Sequence, residues 1–557
     1  MNAKHIIGGC TWVLLVSAAS VMAADSNLAD AVMSGDKAAV RTLLDQHTDV
    51  NAPQADGATA LHWAVYRRDT ALADLLIRAG AKVKVANREG ATPLSLATLN
   101  GDAAMIEMLL KAGADANEQL ANGETALMMA SRTGNPEAMK VLLDHGANVN
   151  AKERLHGTTA LMWAADQQHT AAVKLLIDHG ADVSASSAPD VDRDGARGNV
   201  GNNNRRTADP RVDRREQAEN AARGQGRVRL ESSTNRNQTL EGGGLTALVY
   251  AVRRGDLETV KVLLTAGADI NQLTGSRWSP LLVATHNRHY QIGSFLMDRG
   301  ADTTIANKAG WTPLYLAVDN RNIEDGDYPV RKPDMDHLVY IKELLSHGAD
   351  ATVNARVNSN TERRTVFRAQ WVNEDGETAF MRAAESSDIV LLRLLLSYGA
   401  DPSIPTRDNV TPLQVAAGIG WVDGLSHEWS EQANIETLKL LLALGGDPNA
   451  QADTGRAALH GAAHKGRTSA IQILVDAGAR LDIRDHGNSG HWVGGRTVEH
   501  EWEPVDYADG LIRIGTQSPV AQPEAAALLR KLMKEAGLYV PPMNRTLETV
   551  CVTARCE

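Results

Sequence analysis

Apolar residues in this chain gather into short clusters that come in pairs, and the pairs recur at roughly 33-residue spacing. The stretch from Gly157 to Val183 shows the unit. A glycine-led turn opens on Thr159 and the cluster Ala160-Leu161-Met162-Trp163-Ala164-Ala165; after a polar break, Ala172-Val173-Lys174-Leu175-Leu176-Ile177 leads to Gly180. Each cluster has the spacing of a short helix with one apolar side, and neither helix can bury that side alone. A fixed period of this size predicts an all-α solenoid in which every unit stacks on the next. The punctuation agrees. Thr at the head of the first helix offers its hydroxyl to the free amides of the opening turn. Pro, where present, takes the first helical position, where an amide hydrogen has no partner. Glycine after the second helix permits the left-handed conformation that ends it.

The resemblance to a known family is carried by Thr59-Ala60-Leu61-His62-Trp63-Ala64. This is similar to the ankyrin repeat, whose pattern there is T-P-L-H-x-A. Variants start at Thr92, Thr125, Thr159, Thr246, Ser279, Thr312, Thr378, Thr411 and Ala457, with glycine signatures at Gly80, Gly113, Gly146, Gly180, Gly267, Gly300, Gly348, Gly399, Gly445 and Gly478. The resemblance implies an ankyrin-repeat solenoid of helix-turn-helix units joined by short β-turn or hairpin connections, of an exported, bacterial type. About eleven units are expected, with a partial twelfth. Leu28 to Val50 lacks the Thr-Pro-Leu-His turn and reads as the N-terminal cap, because one face of an end repeat has no neighbour. Residues 485–540 read as a degenerate capping repeat at the other end.

The period breaks in named places, which gives the expected organisation. N-terminal repeats occupy residues 24–183 and C-terminal repeats residues 244–484. Between them, 184–243 is an Arg/Asn/Gly-rich insertion without an aromatic residue, too poor in apolar surface to offset its ordering entropy, and is expected to be disordered. It is either a tolerated linker or a partner-binding segment. Long loops at 322–333 and 354–373, the latter with Arg363, Arg364 and Trp371, are expected on the concave, binding side. A smaller extension runs from Trp421 to Ala433, and residues 541–557 form a tail.

Composition narrows the function. Hydrophobic content of 43% suffices for a long stacked core, and a net charge of −11 argues against general nucleic-acid or anionic-membrane binding. Lys4 and His5 precede an apolar run from Trp12 to Val21, and Val21-Met22-Ala23 carries small residues where a signal peptidase reads. Residues 1–23 are therefore expected to be a cleaved signal peptide, which places the mature chain in the periplasm or the medium without a membrane span. Cys551 and Cys556, the two cysteines beyond that segment, are close enough to pair in an oxidising compartment.

The residues show no constellation for catalysis, cofactor or metal. There is no phosphate-cradling glycine loop, no Gly-x-Ser-x-Gly elbow and no His-Glu-x-x-His helix. His486, His491 and His500 with Glu499 and Glu501 match no metal spacing and read as a solvated polar loop. His62 and His460 occupy the histidine of the ankyrin pattern and are expected to be structural. Trp63 and Trp163 are expected to fill the core between repeats.

Trp278 and Trp311 sit just before a capping Ser or Thr, where the family presents variable side chains. They are either contact residues on one edge or braces for the turns. Arg253, Arg254, His286, Arg288, Asp319 and Asn320 follow first helices and are expected to face the same groove, so these eight form the candidate partner-binding set. The expected function is that of a monomeric, non-catalytic protein–protein interaction scaffold outside the cytoplasm. The alternatives are an enzyme or metal-binding protein using the C-terminal His-rich loop, and a structural or host-interaction protein recognised through the insertion.

Overall fold

A computed structural model describes residues 27–189, 242–322, 331–358, 375–422, 426–487, 491–493, 496–498, 501–512 and 520–545. The chain forms two compact units, Met1–Asp269 and Ile270–Glu557.

Unit 1 holds six helix pairs among its described residues: α1 (Asn27–Ser34) and α2 (Lys37–Asp45), α3 (Ala60–Tyr66) and α4 (Thr70–Arg78), α5 (Pro93–Leu99) and α6 (Ala103–Lys111), α7 (Ala126–Thr133) and α8 (Pro136–Asp144), α9 (Ala160–Asp166) and α10 (Thr170–Asp178), α11 (Ala247–Arg254) and α12 (Leu257–Thr265). First helices pack on first helices and second on second. Unit 2 repeats the plan with α13 (Pro280–His286) and α14 (Tyr290–Asp298), α15 (Pro313–Arg321) and α16 (His337–Ser346), α17 (Ala379–Glu385) and α18 (Ile389–Ser397), α19 (Pro412–Ala417) and α20 (Glu431–Ala443), α21 (Ala458–Lys465) and α22 (Thr468–Asp476), α23 (Pro504–Ala508) and α24 (Pro523–Glu535). A short antiparallel hairpin, β1 (His491–Val493) and β2 (Arg496–Val498), precedes the last pair. The stretch read as a polar loop is thus partly paired strand.

The caps form as the sequence requires. Thr92 accepts the Ser95 amide at 3.1 Å and Thr312 that of Tyr315 at 3.1 Å. Leu61, Leu94, Leu127 and Leu161 of the first helices, with Leu76, Leu109, Leu142 and Leu176 of the second, are buried between repeats. Glycine is required where the second helices end: Gly113 has φ 97° and Gly399 φ 85°.

Polar clamps fix the spacing of the stack. Asn117 donates to the Gly146 carbonyl at 2.9 Å and accepts the Asn148 amide at 2.7 Å, so one side chain ties a turn to the next repeat. Asn51, Asn150, Asn354 and Asn449 do the same. The turn tips are stitched by backbone bonds such as Arg88 N to Asp56 O at 2.8 Å and Arg154 N to Asn122 O at 2.9 Å.

Two expected boundaries shift. The insertion begins later than residue 184, because Ser186 bridges Thr246 and Pro189 bridges Gly243, and Ser187 exchanges bonds with Leu245. Residues 190–241 lie outside the described residues, as do 1–26, Trp371, His500, Cys551 and Cys556. The compact units divide at Asp269, not at the insertion, since α9 packs directly on α11. The loop starting at Asn322 leaves from the C-terminal end of a first helix, whose length holds it about 13 Å from the turn that opens that helix, and the extension starting at Trp421 leaves just beyond the end of α19, a helix about 9 Å long. Of these long loops, only the one after Asn354 leaves from the turn edge.

The pattern histidines are held neutral. His62 Nδ1 accepts the Thr59 amide at 3.1 Å while Nε2 lies 3.1 Å from the Ala91 carbonyl; His460 accepts the Ala457 amide at 3.0 Å with Nε2 3.1 Å from the Trp502 carbonyl. Burial lowers the pKa of both, that of His460 to about 4. Gln414 performs the same bridge without a titrating group, accepting the Thr411 amide and donating to the Arg456 carbonyl.

Two outcomes are expected. Asn117→Ala removes both clamp bonds and should cost about 1–2 kcal/mol, read as a lower urea midpoint with native helical content before the transition. The unfolded chain protonates its histidines near pH 6.5 but folded His460 resists until about pH 4. The stability from its neutral form is therefore full above pH 6.5 and drains as pH falls toward 4, by up to about 3 kcal/mol. Urea midpoints at pH 7, 5.5 and 4 should show this loss, and His460→Gln should flatten it.

Candidate functional site

The fourth and seventh residues after each cap lie three apart and so share one face of the first helix. In unit 1 this face begins with large apolar side chains. Met33 of α1 is 44% exposed, Tyr66 of α3 63% and Leu99 of α5 49%; Trp63 and Leu96 flank them half-buried. The Trp63 and Tyr66 rings meet edge to face at 5.7 Å. Gln54 fixes the indole by accepting from Trp63 Nε1 at 2.6 Å, and its amide nitrogen reaches Asp30 at 2.5 Å. These contacts set the aromatic pair in place without covering it.

Further along unit 1 the same positions become charged. The Arg132 guanidinium lies 5.5 Å from the Trp163 ring centroid and its NH1 is 3.3 Å from Glu124. Trp163 is half-buried under that arginine, not enclosed in the core as expected. Asp166 pairs with Arg254 at 2.8 Å and Arg253 at 3.3 Å. Burial alone would raise the Asp166 pKa, but these two arginines outweigh it and hold the carboxyl below its usual range. Arg253 also lies 4.9 Å from the Tyr250 ring. The two arginines are thus bound into a repeat-to-repeat contact.

In unit 2 the same face is used up by the chain itself. Trp278 is 1% and Trp311 3% exposed, so the expectation of edge contacts gives way to the alternative of bracing. Trp278 N donates to Thr274 Oγ1 at 3.0 Å, Trp311 N to Asn307 Oδ1 at 2.9 Å, and each ring packs inward, the first edge-on to half-buried His286 at 5.2 Å. Arg288, with φ 60°, donates to the carbonyls of Arg331 and Asn320. Asn320 donates to Thr285 O at 2.7 Å and Asp319 accepts from Arg382 Nε at 2.7 Å. Arg288, Asp319 and Asn320 are buried, and they knit α13, α15 and α17 to the returning loop.

Sequence reasoning missed Met33, Tyr66, Leu96 and Leu99. The signal was present: large apolar residues stand at 33, 66 and 99, one per repeat, at the position where later repeats carry Arg132, Asp166 and Arg253.

Models of three-copy ankyrin repeats match residues 28–120, 95–187 and 248–355, and a single ankyrin repeat matches 375–407 and 454–486, together more than half of the chain. The chain is an ankyrin repeat protein. Among solved structures, the human ASB11 ankyrin repeat domain is similar, at 25% identity over 46% of this chain and 91% of that one, with a TM-score of 0.34.

Ankyrin repeats serve as protein–protein interaction scaffolds and are in general non-catalytic. Within this ankyrin repeat protein, His486 Nδ1 lies 2.9 Å from the Asp453 carbonyl, and the side chains of 491–500 lie outside the described residues. Among the described residues no group of three His, Cys, Asp or Glu is arranged to hold a metal, and no helix is long and apolar enough to cross a membrane.

Burial separates the two kinds of tryptophan and apolar position by energy. Trp278→Ala or Trp311→Ala should cost about 3–5 kcal/mol in urea unfolding, as core cavities do. Tyr66→Ala and Leu99→Ala should each stay within about 0.5–1 kcal/mol of the parent chain.

Proposed function

We propose that this ankyrin repeat protein is a non-catalytic docking module that acts outside the cytoplasm and receives another protein on the first-helix face of unit 1. The observation that carries the reading is the ridge of Met33, Trp63, Tyr66, Leu96 and Leu99. Exposed apolar side chains aligned on successive repeats mark an interaction surface on a soluble protein, and an indole fixed by its own hydrogen bond to Gln54 loses little freedom on binding. In unit 2 the corresponding positions are buried or bonded to the chain's own loops, so the open ridge in unit 1 is the better docking face. The partner is a protein presenting an apolar patch or helix, since a net charge of −11 disfavours nucleic acid. Export is supported by Lys4, His5, the apolar run from Trp12 to Val21 and the small residues at Val21-Met22-Ala23.

The decisive measurement is affinity capture from the native exported fraction, followed by calorimetry with the captured protein. Tyr66→Ala with Leu99→Ala should weaken its affinity by at least about 30-fold while melting is retained. Equal affinity in the double variant rejects the ridge as the docking face. For export, N-terminal sequencing of the native protein should begin at Ala24; a chain beginning at Met1 would refute it.

A further inference from the structure

The three exposed rungs of the unit 1 ridge are tied together at the C-terminal ends of their helices. Arg67 NH1 donates to the Met33 carbonyl at 3.1 Å, joining α3 to α1, and Asn100 Nδ2 donates to the Val65 carbonyl at 3.2 Å, joining α5 to α3. Arg68, with φ 55°, reaches the other way and donates through NH2 to the Asn100 carbonyl at 2.7 Å. Two guanidinium groups are thereby held along one edge of the ridge, one beside the end of α1 that carries Met33, the other beside the end of α5 that carries Leu99. Both arginines are exposed, and neither forms an ion pair with a carboxylate among the described residues. Asp69, the nearest acid in sequence, is bonded to Lys37 at 2.9 Å and feels Arg67 only at longer range. The apolar row ends at Arg132, whose guanidinium is engaged by Glu124 and the Trp163 ring.

Spacing and chemistry select the occupant. Packed helices lie about 8–10 Å apart, so Met33, Tyr66 and Leu99 recur at about that interval along the stack. In an α-helix, side chains seven residues apart share one face and are separated by about 10.5 Å, near the upper end of that interval. In an extended strand, side chains on one face recur at about 6.7 or 13.4 Å, below it or above it. A strand would also bring backbone amides and carbonyls to a surface made of helix side chains, where they find no ladder, whereas a helix arrives with its own already bonded. The two guanidinium groups select carboxylates on the flank that faces them.

We propose that the ridge receives an amphipathic α-helix of a protein partner, laid along the stack. Its apolar residues, at every seventh position, would lie over Met33, Tyr66 and Leu99, and its acidic residues on the flank facing Arg67 and Arg68. Trp63 and Leu96, one turn back and half-buried, form the floor of the apolar contact. The inference rests on the reading of this face as the docking surface and names the class of segment that it takes.

The test uses the full chain and a labelled probe, so that it does not depend on capturing the partner. The probe is an alanine-based helical peptide of three heptads, with leucine at every seventh position and glutamate four residues after each leucine. Fluorescence anisotropy should give a dissociation constant on the order of 100 μM. Replacing the glutamates with lysine should weaken binding at least about fivefold, and redistributing the same leucines around the helix at least about tenfold. Tyr66→Ala with Leu99→Ala should weaken the glutamate peptide at least about tenfold. Arg67→Gln with Arg68→Asn, the asparagine tolerating the left-handed backbone there, should abolish the preference for glutamate over lysine. If that pair of changes disturbs the fold, the two peptides compared on the parent chain decide, because they require no substitution. No binding of the glutamate peptide, equal binding of the lysine peptide, or equal binding after the leucines are redistributed each overturns the helix as occupant. Loss of captured-partner affinity on changing Tyr66 and Leu99, with the glutamate peptide failing on the parent chain, removes the helix and leaves the docking face standing. Peptide affinity lost in that double variant while the captured partner is unaffected keeps the helix site and removes the ridge as that partner's docking face.

Discussion

Every repeat here depends on a neighbour for its apolar side, and the asparagine clamp turns that dependence into a fixed spacing. Hydrophobic burial is non-directional and would tolerate a sliding stack. Asn117 does not tolerate it: one amide must reach both the carbonyl of Gly146 and the nitrogen of Asn148, and both partners belong to the helix end and turn of the next repeat. The clamp works only if that glycine adopts its left-handed conformation, which turns the carbonyl toward the asparagine. Glycine, asparagine and period are therefore one constraint, not three. Where the asparagine is replaced, as at Ser184, the side chain bonds back to its own turn through Asp182.

A stack fixed in this way leaves its first-helix face free to vary. Position by position, unit 1 runs from Tyr66 and Leu99 to Arg132 and Asp166, from open apolar surface to charges that bridge repeats. In unit 2 the face holds Asp319, Arg382 and Glu385 and lies beneath the chain's own loops. The contrast needs no change in the repeat, only different residues at two positions per helix and longer connections at their C-terminal ends. The difference between an exposed docking ridge and a covered polar face is made at those few positions.

The fold was legible because its signals are local and repeated. Thr92 caps its helix, Pro93 follows at the first helical position and Gly113 closes the unit whatever lies elsewhere in the chain. The site was harder to read because exposure is a property of neighbours. Trp278 and Tyr66 are both large aromatics at positions the repeat can present to solvent. The first is enclosed because its ring turns inward onto His286 beside the Thr274 turn, and the second is open because nothing described in the chain returns over α3. No period distinguishes them. Arg288, Asp319 and Asn320 were misplaced for the same reason: a polar residue at the end of a first helix reads as solvent-facing until its partner proves to be distant in sequence, Arg331 for Arg288, Arg382 for Asp319 and Thr285 for Asn320.

The ionic cluster of unit 2 shows what such covering costs and what it secures. Arg321 with Asp388, Arg382 with Asp319 and Glu385, and Lys465 with Glu428 are nearly enclosed pairs. Burying charges in this way forfeits hydration that their mutual attraction restores only when every donor and acceptor is engaged, so apolar residues of similar size would hold the repeats at least as firmly. Apolar residues would not specify position. Arg382 selects the Asn322 carbonyl and the Asp319 carboxylate together, and Trp429 selects the Asn322 side chain. The loops from two separate repeats are thereby located against the same few atoms at the end of α15. That precision is gained at little or no net stability.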